Sequence, residues 1–221
     1  MGFRYLLLTG YHGGMFSYRH PFHAANHADV LKHTVLIAVM KHLALKEVGF
    51  TAIDTHGGAG IYRLDSPDSH QSGEAQEGLL ALMRNKSKLT GPMAEVLLDY
   101  RKVLDHFNPG AGLLNYPGSP MIAHHLLREQ DKLKLFEMHP SDIRALQNNI
   151  EALKAGRQVM VMHEDGFNGV PKYLPPTTRR GLVFIDPSYE IKLDYERVVV
   201  AVSIGMKRFA TGTYVVWYPI I

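Results

Sequence analysis

The sequence predicts an α/β protein with a largely parallel sheet. Short apolar runs alternate along the chain with segments in which apolar residues recur at helical spacing. The first four apolar runs each end at, or shortly before, an acidic residue. Acids in those positions are typical of buried parallel strands whose carboxyl ends carry ligand-binding groups. With 221 residues, the chain is long enough for one large domain or for a domain with an inserted lobe.

The first helix is predicted over residues 25–46, where Ala28, Leu31 and Val35 begin an apolar pattern of helical period. Two further helices are predicted near residues 141–155 and 192–207, between apolar runs. Residues 65–130 carry helical patterns broken by the turn signals "LTGP", "FNPG" and "NYPGSP". Strands are predicted at five apolar runs: "GFTAID" (49–54), "KLKLFE" (132–137), "QVMVM" (158–162), "GLVFID" (181–186) and "TYVVWY" (213–218).

Composition excludes several classes of protein. The chain has no cysteine, so it has no disulfide framework and no Cys-ligated zinc or iron–sulfur centre, which fits a reducing cytoplasm. No apolar run approaches the ~18 residues of a membrane helix. The formal charge of +3 and the pI near 9.0 permit nucleic-acid binding without indicating it. We therefore expect a cytoplasmic protein that does not enter the membrane.

Acidic residues at four strand ends predict a single cleft. Asp54 runs into the glycine-rich "DTHGGAG", whose backbone can turn tightly and approach a ligand closely. Glu137 suits the two hydroxyls of a ribose, and Asp165 can accept from an exocyclic amine such as that of adenine. Asp186 opens "DPSYE". A nicotinamide-cofactor fingerprint is disfavoured because its third glycine is replaced by Arg63.

The order of a glycine loop, two acids and D-P-x-Y resembles a class I S-adenosylmethionine-dependent methyltransferase, and D-P-P-Y is the signature of enzymes that methylate adenine. More narrowly, the chain resembles the RlmJ family of bacterial 23S ribosomal RNA adenine-N6 methyltransferases. The blocks that carry this resemblance are "FSYRHPFHAANHADVLKHTV", "DTHGGAGIY", "YPGSPMIAHHLLREQD", "HPSD", "DGF" and "RRGLVFIDPSYE…KRFATGTYVVWYP", from about residue 16 onwards.

The resemblance implies a Rossmann-like methyltransferase sheet with a small inserted helical lobe. The methyltransferase domain is expected at 16–64 and 131–221, the helical insertion at 65–130, and a disordered N-terminal extension at 1–15. Residues 65–130 are assigned to the insertion because they separate Asp54 and Glu137 far more widely than a minimal unit does. The family continues beyond the point where this chain stops, so the C-terminal strands of the sheet are expected to be missing.

The resemblance also implies functional residues. The catalytic groups are expected to be Asp186, Pro187 and Tyr189, with Asp186 as the proton acceptor that faces both cofactor and target base. Tyr18 is expected to contact the RNA substrate. Lys32, Gly58 and Gly60 are expected neighbours of the cofactor. The S-adenosyl-L-methionine contacts are expected to be His33, His56, Ser119, Glu137, Asp165, Gly166 and Asp186. The expected partner is 23S ribosomal RNA free of protein, bound by a monomer.

Adenine methylation explains why these residue types stand together. The exocyclic nitrogen is a poor nucleophile because its lone pair is delocalised into the ring. Asp186 and the carbonyl of Pro187 can each accept one N–H, which stabilises the positive charge that develops during attack. Tyr189 can stack on the extruded base. Ser188 replaces the second proline of D-P-P-Y, so the turn is expected to be less stiff.

Histidines in "HAANHADVLKH" also invite a metal interpretation. On a helix His23 and His27 share a face, but His33 points well away from both, which is poor geometry for one ion. Capping, packing and contact with the cofactor or RNA are favoured, and no metal is expected. Two alternative functions remain open. One is a DNA adenine-N6 methyltransferase, because D-P-P-Y also serves those enzymes. The other is an inactive RNA-binding relic, because of Ser188 and the short C-terminus.

Overall fold

The computed structural model describes residues 24–65, 78–79, 91–110 and 112–219. The predicted extension at 1–15 and Tyr18 lie outside these ranges. Within them the fold is a parallel sheet of five strands flanked by helices on both faces. The predicted Rossmann-like α/β class is therefore confirmed.

The central sheet has the order β5-β4-β1-β6-β7, and all of its strand pairs are parallel. Asp54, the last residue of β1, is in register with Leu135 of β4 and Phe184 of β6. Chain order reverses beside β1, because β4 and β5 lie on one side of it and β6 and β7 on the other. Such a reversal opens a ligand-binding crevice at the carboxyl ends of the strands. The strands are β1 (Thr51–Asp54), β4 (Lys132–Phe136), β5 (Val159–Met162), β6 (Gly181–Ile185) and β7 (Thr213–Val216).

The described helices lie close to their predicted positions. The first is α1 (His27–Ala44), capped by the Asn26 side chain, which accepts from the backbone N–H of Asp29 at 2.9 Å. The helices that follow are α2 (Pro92–Phe107), α3 (Ser119–Leu126), α4 (Pro140–Ala152), the single turn α5 (Gly166–Gly169) and α6 (Leu193–Arg208). Short 3₁₀ turns at Gly156–Gln158 and Val170–Tyr173 complete the set.

Side chains of the central strands alternate between two cores. Ala52 of β1 and Phe184 of β6 belong to the larger core, under α1 and α3. Ile53 and Ile185 belong to the other, under α5 and α6. Every residue of β1 and β6 is buried, as expected for strands covered on both faces. This burial fixes the strand ends, and therefore the site, in a rigid frame.

An additional antiparallel pair, β2 (Ile61–Arg63) with β3 (Asn115–Pro117), was not predicted. It joins the end of the glycine loop to the entry of α3, because the Gly118 N–H donates to the Gly60 carbonyl at 2.8 Å. In the range 65–130, the described elements are α2, β3 and α3. The boundaries proposed for an inserted lobe stay a prediction. None of the helices in the described ranges is long and apolar enough to cross a membrane.

Candidate functional site

Four acidic residues lie at or just beyond the carboxyl ends of adjacent strands. Asp54 ends β1, Glu137 follows β4, and Asp186 follows β6. Asp165 lies three residues beyond the end of β5. Because neighbouring strands are about 4.8 Å apart, parallel pairing gathers these groups along one edge of the sheet. This edge includes the reversal point beside β1, where the crevice was predicted.

Asp54 is buried, with 3% of its surface exposed. Its Oδ1 accepts from the backbone N–H of His56 at 3.1 Å, and the nearby Ser119 side chain favours the charged form of the carboxyl. Its Oδ2 is buried and has no hydrogen-bond partner within the described part of the chain. Burial raises the pKa of Asp54 to about 7, against the hydrogen bonds from Ser119 and His56. An unsatisfied buried acceptor of this kind suits a cationic or N–H-bearing ligand.

The glycine loop is fixed to Glu137. Gly58 donates its N–H to Glu137 Oε2 at 2.7 Å, and His139 donates its N–H to Oε1 at 2.6 Å. Gly58 has φ of 59°, and a Cβ there would lie 2.2 Å from the Tyr62 hydroxyl, so only glycine fits. Each carboxylate oxygen retains capacity for a further donor. Burial raises the pKa of Glu137, although these backbone bonds oppose the shift.

Asp165 caps α5, and Gly166 brings that turn against β1. Asp165 Oδ1 accepts from the Phe167 N–H at 2.9 Å, while Oδ2 accepts from Asn168 Nδ2 at 3.3 Å and from Arg197 Nη2. A Cβ on Gly166 would lie 2.2 Å from the Thr55 carbonyl oxygen. The missing side chain therefore allows the segment after β5 to approach the end of β1. Asp165 keeps 16% of its side chain exposed at the rim of the crevice.

Asp186 is held by a buried cation from α1. Its Oδ2 lies 2.6 Å from Lys32 Nζ, and the same ammonium lies 2.8 Å from Asp29 Oδ1. Burial alone would lower the pKa of Lys32, but Asp186 and Asp29 together hold it above its ordinary value. Lys32 is thus a fixed positive charge with only 8% of its side chain exposed. The first turns of α1 consequently reach the residue predicted to be the proton acceptor.

The three residues after Asp186 are irregular backbone that leaves the end of β6. Pro187 is buried, Ser188 is exposed, and Tyr189 has φ of 56°, in the left-handed region that costs a non-glycine residue energy. The Tyr189 hydroxyl donates to the Trp217 carbonyl, and its ring lies 4.6 Å from the ring of Tyr195. An unfavourable backbone held in place by such contacts is typical of functional turns.

Two predicted histidines lie close in sequence to residues of this edge: His33 follows Lys32, and His56 comes two residues after Asp54. His33, 2% exposed, bonds through Nδ1 to the Tyr116 hydroxyl at 2.7 Å. His56 bonds through Nδ1 to the Thr55 hydroxyl at 2.7 Å and packs edge-on against Phe167, with ring centroids 4.9 Å apart. Burial lowers the pKa of His56 to about 4, against Asp186 and Asp165, so its imidazole is neutral at pH 7.

These groups fit S-adenosyl-L-methionine. The orphaned Oδ2 of Asp54 and the Ser119 side chain suit an amino-acid end, Glu137 suits a ribose, and Asp165 suits an adenine amine. Gly58 allows the backbone to approach closely without a side chain in the way. The roles of these residues remain predictions, as does the role of Tyr18, which lies outside the described ranges. No cluster of His, Cys, Asp or Glu suited to a metal ion occurs in residues that the structure describes.

Sequence reasoning did not identify Arg197 or Asp194, both on α6. Arg197 contacts Asp165, and its Nη1 lies 3.7 Å from Asp194 Oδ1. Asp194 and Arg197 are three positions apart in the helix predicted after "DPSYE". Because residues at that spacing share one helix face, the sequence could have indicated that they form a pair. The Lys32 pairing with Asp186 was also missed, although Lys32 was expected to be near the cofactor. Its signal was the nearby Asp29, three residues before Lys32 on the same helix.

Comparisons with known proteins identify the family of this chain. The family model "RsmJ: Ribosomal RNA large subunit methyltransferase D, RlmJ" matches residues 47–221. The protein named ribosomal RNA large subunit methyltransferase J is 49% identical in Haemophilus influenzae, over 208 residues that cover 94% of this chain and 71% of the relative. Its Escherichia coli namesake is 46% identical over 207 residues, with the same coverage.

A solved structure from Legionella pneumophila superposes with a TM-score of 0.79 at 37% identity, covering 90% of this chain and 70% of that one. The range matched by the family model, residues 47–221, spans the four acidic residues at the strand ends. The chain therefore belongs to the RlmJ family of ribosomal RNA large subunit methyltransferases.

Proposed function

We propose that this chain transfers a methyl group from S-adenosyl-L-methionine to the exocyclic N6 of an adenine in 23S ribosomal RNA. Its membership of the RlmJ family supports the reaction and the substrate. The observation that carries the proposal is the position of Asp186. This carboxylate opens D-P-S-Y at the end of β6, beside the reversal point of the sheet and next to the fixed ammonium of Lys32.

Asp186 and the Pro187 carbonyl are the proposed acceptors for the two N–H groups of the target amine. Two acceptors draw the nitrogen lone pair out of conjugation, and they stabilise the positive charge that grows on nitrogen during attack. Tyr189 is the proposed stacking surface for the base, a contact worth ~1–3 kcal/mol. The left-handed turn at Tyr189 fixes the ring relative to Asp186, so the two groups act on one base.

S-adenosyl-L-methionine supplies an electrophilic methyl on a sulfonium. The proposed binding residues surround the glycine loop: Asp54 and Ser119 at one end, Glu137 in the middle, and Asp165 with Gly166 at the other. His33 and His56 are proposed to line the same space, His56 as a neutral ring. Correct in-line placement, rather than activation of the methyl group, is then the remaining task of the protein.

The proposal includes finer points about the partner. We expect the RNA to be bound without ribosomal proteins, by a monomer in the cytoplasm, with Tyr18 among the RNA contacts. Light scattering on the purified chain, alone and with a 23S RNA fragment, measures the stoichiometry. A dimer in both conditions would overturn the monomer while leaving the chemistry in place.

The test is methyl transfer by the 221-residue chain to deproteinised 23S RNA from cells that lack the modification. Tritium from labelled S-adenosyl-L-methionine should appear as N6-methyladenosine after nuclease digestion. A DNA duplex of matched sequence, added in excess, should not compete. Calorimetric titration with the cofactor, run in parallel, separates failure to bind from failure to react.

Each alternative predicts a different outcome. Transfer to DNA at a comparable rate would favour the DNA adenine methyltransferase. Salt-dependent RNA binding without cofactor binding, in protein shown to be folded, would favour the RNA-binding relic. Cofactor binding without transfer would direct attention to Ser188, and a Ser188→Pro variant would then be compared with the parent chain.

A further inference from the structure

We propose that Arg197 is a positioning residue for cofactor recognition: it holds the Asp165 carboxylate and the Phe167 ring so that the site selects the adenine amine. This inference rests on the proposed function, since it assigns Asp165 to the adenine of S-adenosyl-L-methionine. It goes further by naming a residue on α6, outside the strand ends, that sets the selectivity of that contact. Three features of the structure carry it.

The first feature is the set of donors that bond to the two carboxylate oxygens of Asp165. Oδ1 accepts from the Phe167 N–H at 2.9 Å, while Oδ2 accepts from Asn168 Nδ2 at 3.3 Å and from the Arg197 guanidinium. Without Arg197, the carboxylate would be held only by its own helical turn. Rotation about its terminal torsion is otherwise soft, so one long-range donor decides which lone pairs face the crevice. Among the described residues, Arg197 is the donor to Asp165 that lies far from it in the sequence; Phe167 and Asn168 belong to the same helical turn.

The second feature is a row of three side chains in contact: Arg197, Phe167 and His56. The Arg197 guanidinium lies 4.4 Å from the centroid of the Phe167 ring, and that ring packs edge-on against His56 at 4.9 Å. A planar guanidinium favours such a face, and Lys would not reproduce the stacking. Through Phe167, Arg197 therefore restrains a second residue that is proposed to line the cofactor site.

The third feature links this corner to the catalytic turn. Arg197 Nη1 lies 3.7 Å from Asp194 Oδ1, and the ring of the next residue, Tyr195, lies 4.6 Å from the ring of Tyr189. The Arg197 guanidinium thus contacts both the carboxylate at the cofactor end and the helix turn that packs against Tyr189. Arg197 is 29% exposed, so its role does not depend on a deeply buried charge.

Selectivity for the amine follows from acceptor geometry. A fixed carboxylate accepts from an exocyclic N–H, but it repels the carbonyl oxygen that replaces the amine in an inosine analogue. A carboxylate that can rotate discriminates less, because it can turn away from the carbonyl. Loss of Arg197 should therefore reduce the preference for adenine, in addition to any general loss of affinity.

The experiment measures dissociation constants of two product analogues by calorimetry. One is S-adenosylhomocysteine, and the other is its inosine counterpart, S-inosylhomocysteine. The variants are Arg197→Gln, Arg197→Lys and, as a matched control at the far end of the same helix, Lys207→Gln. Lys207 is exposed and lies outside the proposed site. Urea denaturation of each variant checks that it is folded, and Arg197→Lys carries the test if Arg197→Gln does not fold.

We expect the parent chain and Lys207→Gln to prefer the adenine ligand about 100-fold. Arg197→Gln should bind that ligand about tenfold more weakly and should lose most of the preference, while Arg197→Lys should be intermediate. The kcat at saturating S-adenosyl-L-methionine should change less than KM. Equal weakening of both ligands, with the preference intact, would overturn the inference. A parent chain that binds neither ligand would instead contradict the proposed function itself.

Discussion

Lys32 Nζ lies 2.6 Å from Asp186 Oδ2. This contact joins α1 to the segment after β6, and the two residues are 154 positions apart in the chain. The same ammonium contacts Asp29, so the two carboxylates share one buried cation. In the proposed mechanism, Asp186 exchanges part of this interaction for the target amine when a base enters. Lys32 would then keep the proposed catalytic carboxylate oriented before the substrate arrives, which lowers the cost of organising the site.

Replacing Asp186 by Asn should nearly abolish methyl transfer. The amide presents no negative charge to the developing ammonium, so we expect a loss in kcat of at least about 10²-fold. Lys32 keeps Asp29 as a partner, and the variant should therefore remain folded. Single-turnover transfer to 23S RNA is the measurement, with Asp99→Asn, a half-buried ion-pair partner of Lys41, as the control. Unchanged turnover in Asp186→Asn would rule out the proposed acceptor role.

Cofactor binding should release a proton from Asp54. Burial raises the pKa of this carboxyl to about 7, so below pH 7 it is mostly protonated before a ligand binds. A cationic ligand group beside it favours the charged form and lowers the pKa. Titration with S-adenosyl-L-methionine at pH 6.5, in buffers of different ionisation enthalpy, should show the release of up to about one proton.

The Asp54→Asn variant provides the control for this proton. Its amide cannot titrate, so the apparent binding enthalpy should no longer depend on the buffer. Persistence of the same buffer dependence in the variant would assign the proton to another group, such as Glu137, whose pKa burial also raises.

The ring of Tyr189, rather than its hydroxyl, should matter for RNA. Tyr189→Phe loses the bond to the Trp217 carbonyl but keeps the stacking surface, and its kcat/KM should stay within about threefold of the parent. Tyr189→Ala should lose about 10- to 100-fold in kcat/KM for RNA, with little change in cofactor affinity. If Tyr189→Phe were as impaired as Tyr189→Ala, the hydroxyl would be the functional group and the stacking role would fail.

Asp131 should stabilise the fold at neutral pH without affecting chemistry. This fully buried carboxylate accepts from the Phe50 N–H at 2.9 Å and from two guanidinium nitrogens of Arg128. Arg128 also donates to the carbonyls of Ala44, the last residue of α1, and of Lys46 just beyond it, which holds the end of that helix near the start of β4. Asp131→Asn should lower the free energy of unfolding at pH 7 by about 2–4 kcal/mol.

The stabilisation by Asp131 should decrease as the pH falls. Burial would raise the pKa of Asp131, but Arg128 and the backbone donors outweigh it and hold the pKa below its ordinary value. The carboxylate therefore stabilises the fold above about pH 4, and this contribution is lost as pH falls through its folded pKa. Urea denaturation should show that the free energies of unfolding of the parent and the variant differ less at pH 3.5 than at pH 7. Asp105→Asn, an exposed ion-pair residue, should differ from the parent at neither pH.

The strands were predictable because burial on both faces leaves a continuous apolar run. Val183 and Phe184 face opposite cores, so β6 reads as apolar throughout and its end at Asp186 could be placed from sequence alone. The β2–β3 pair was not predictable in the same way. Each strand has three residues, too few to show a period, and Tyr62 pairs with Tyr116 across 54 positions.

The positions of the acidic residues of the candidate site were predictable, but the contacts of its two cations, Lys32 and Arg197, were not. A carboxylate at a strand end reveals its location, because parallel strands end along one edge. Helical periodicity shows which residues of α1 and α6 share a face, but not what lies opposite that face. Lys32 and Arg197 acquire their partners only through tertiary packing, so their contacts with Asp186 and Asp165 required the structure.

The four carboxyls gathered at one sheet edge also bear on how the site empties after each turnover. A sulfonium carries a positive charge, whereas the thioether that remains after transfer is neutral. If these carboxyls contact the cofactor as proposed, they attract the sulfonium more strongly than the thioether. Methyl transfer should then weaken binding of the by-product, and an acidic rim would favour its departure before fresh cofactor enters.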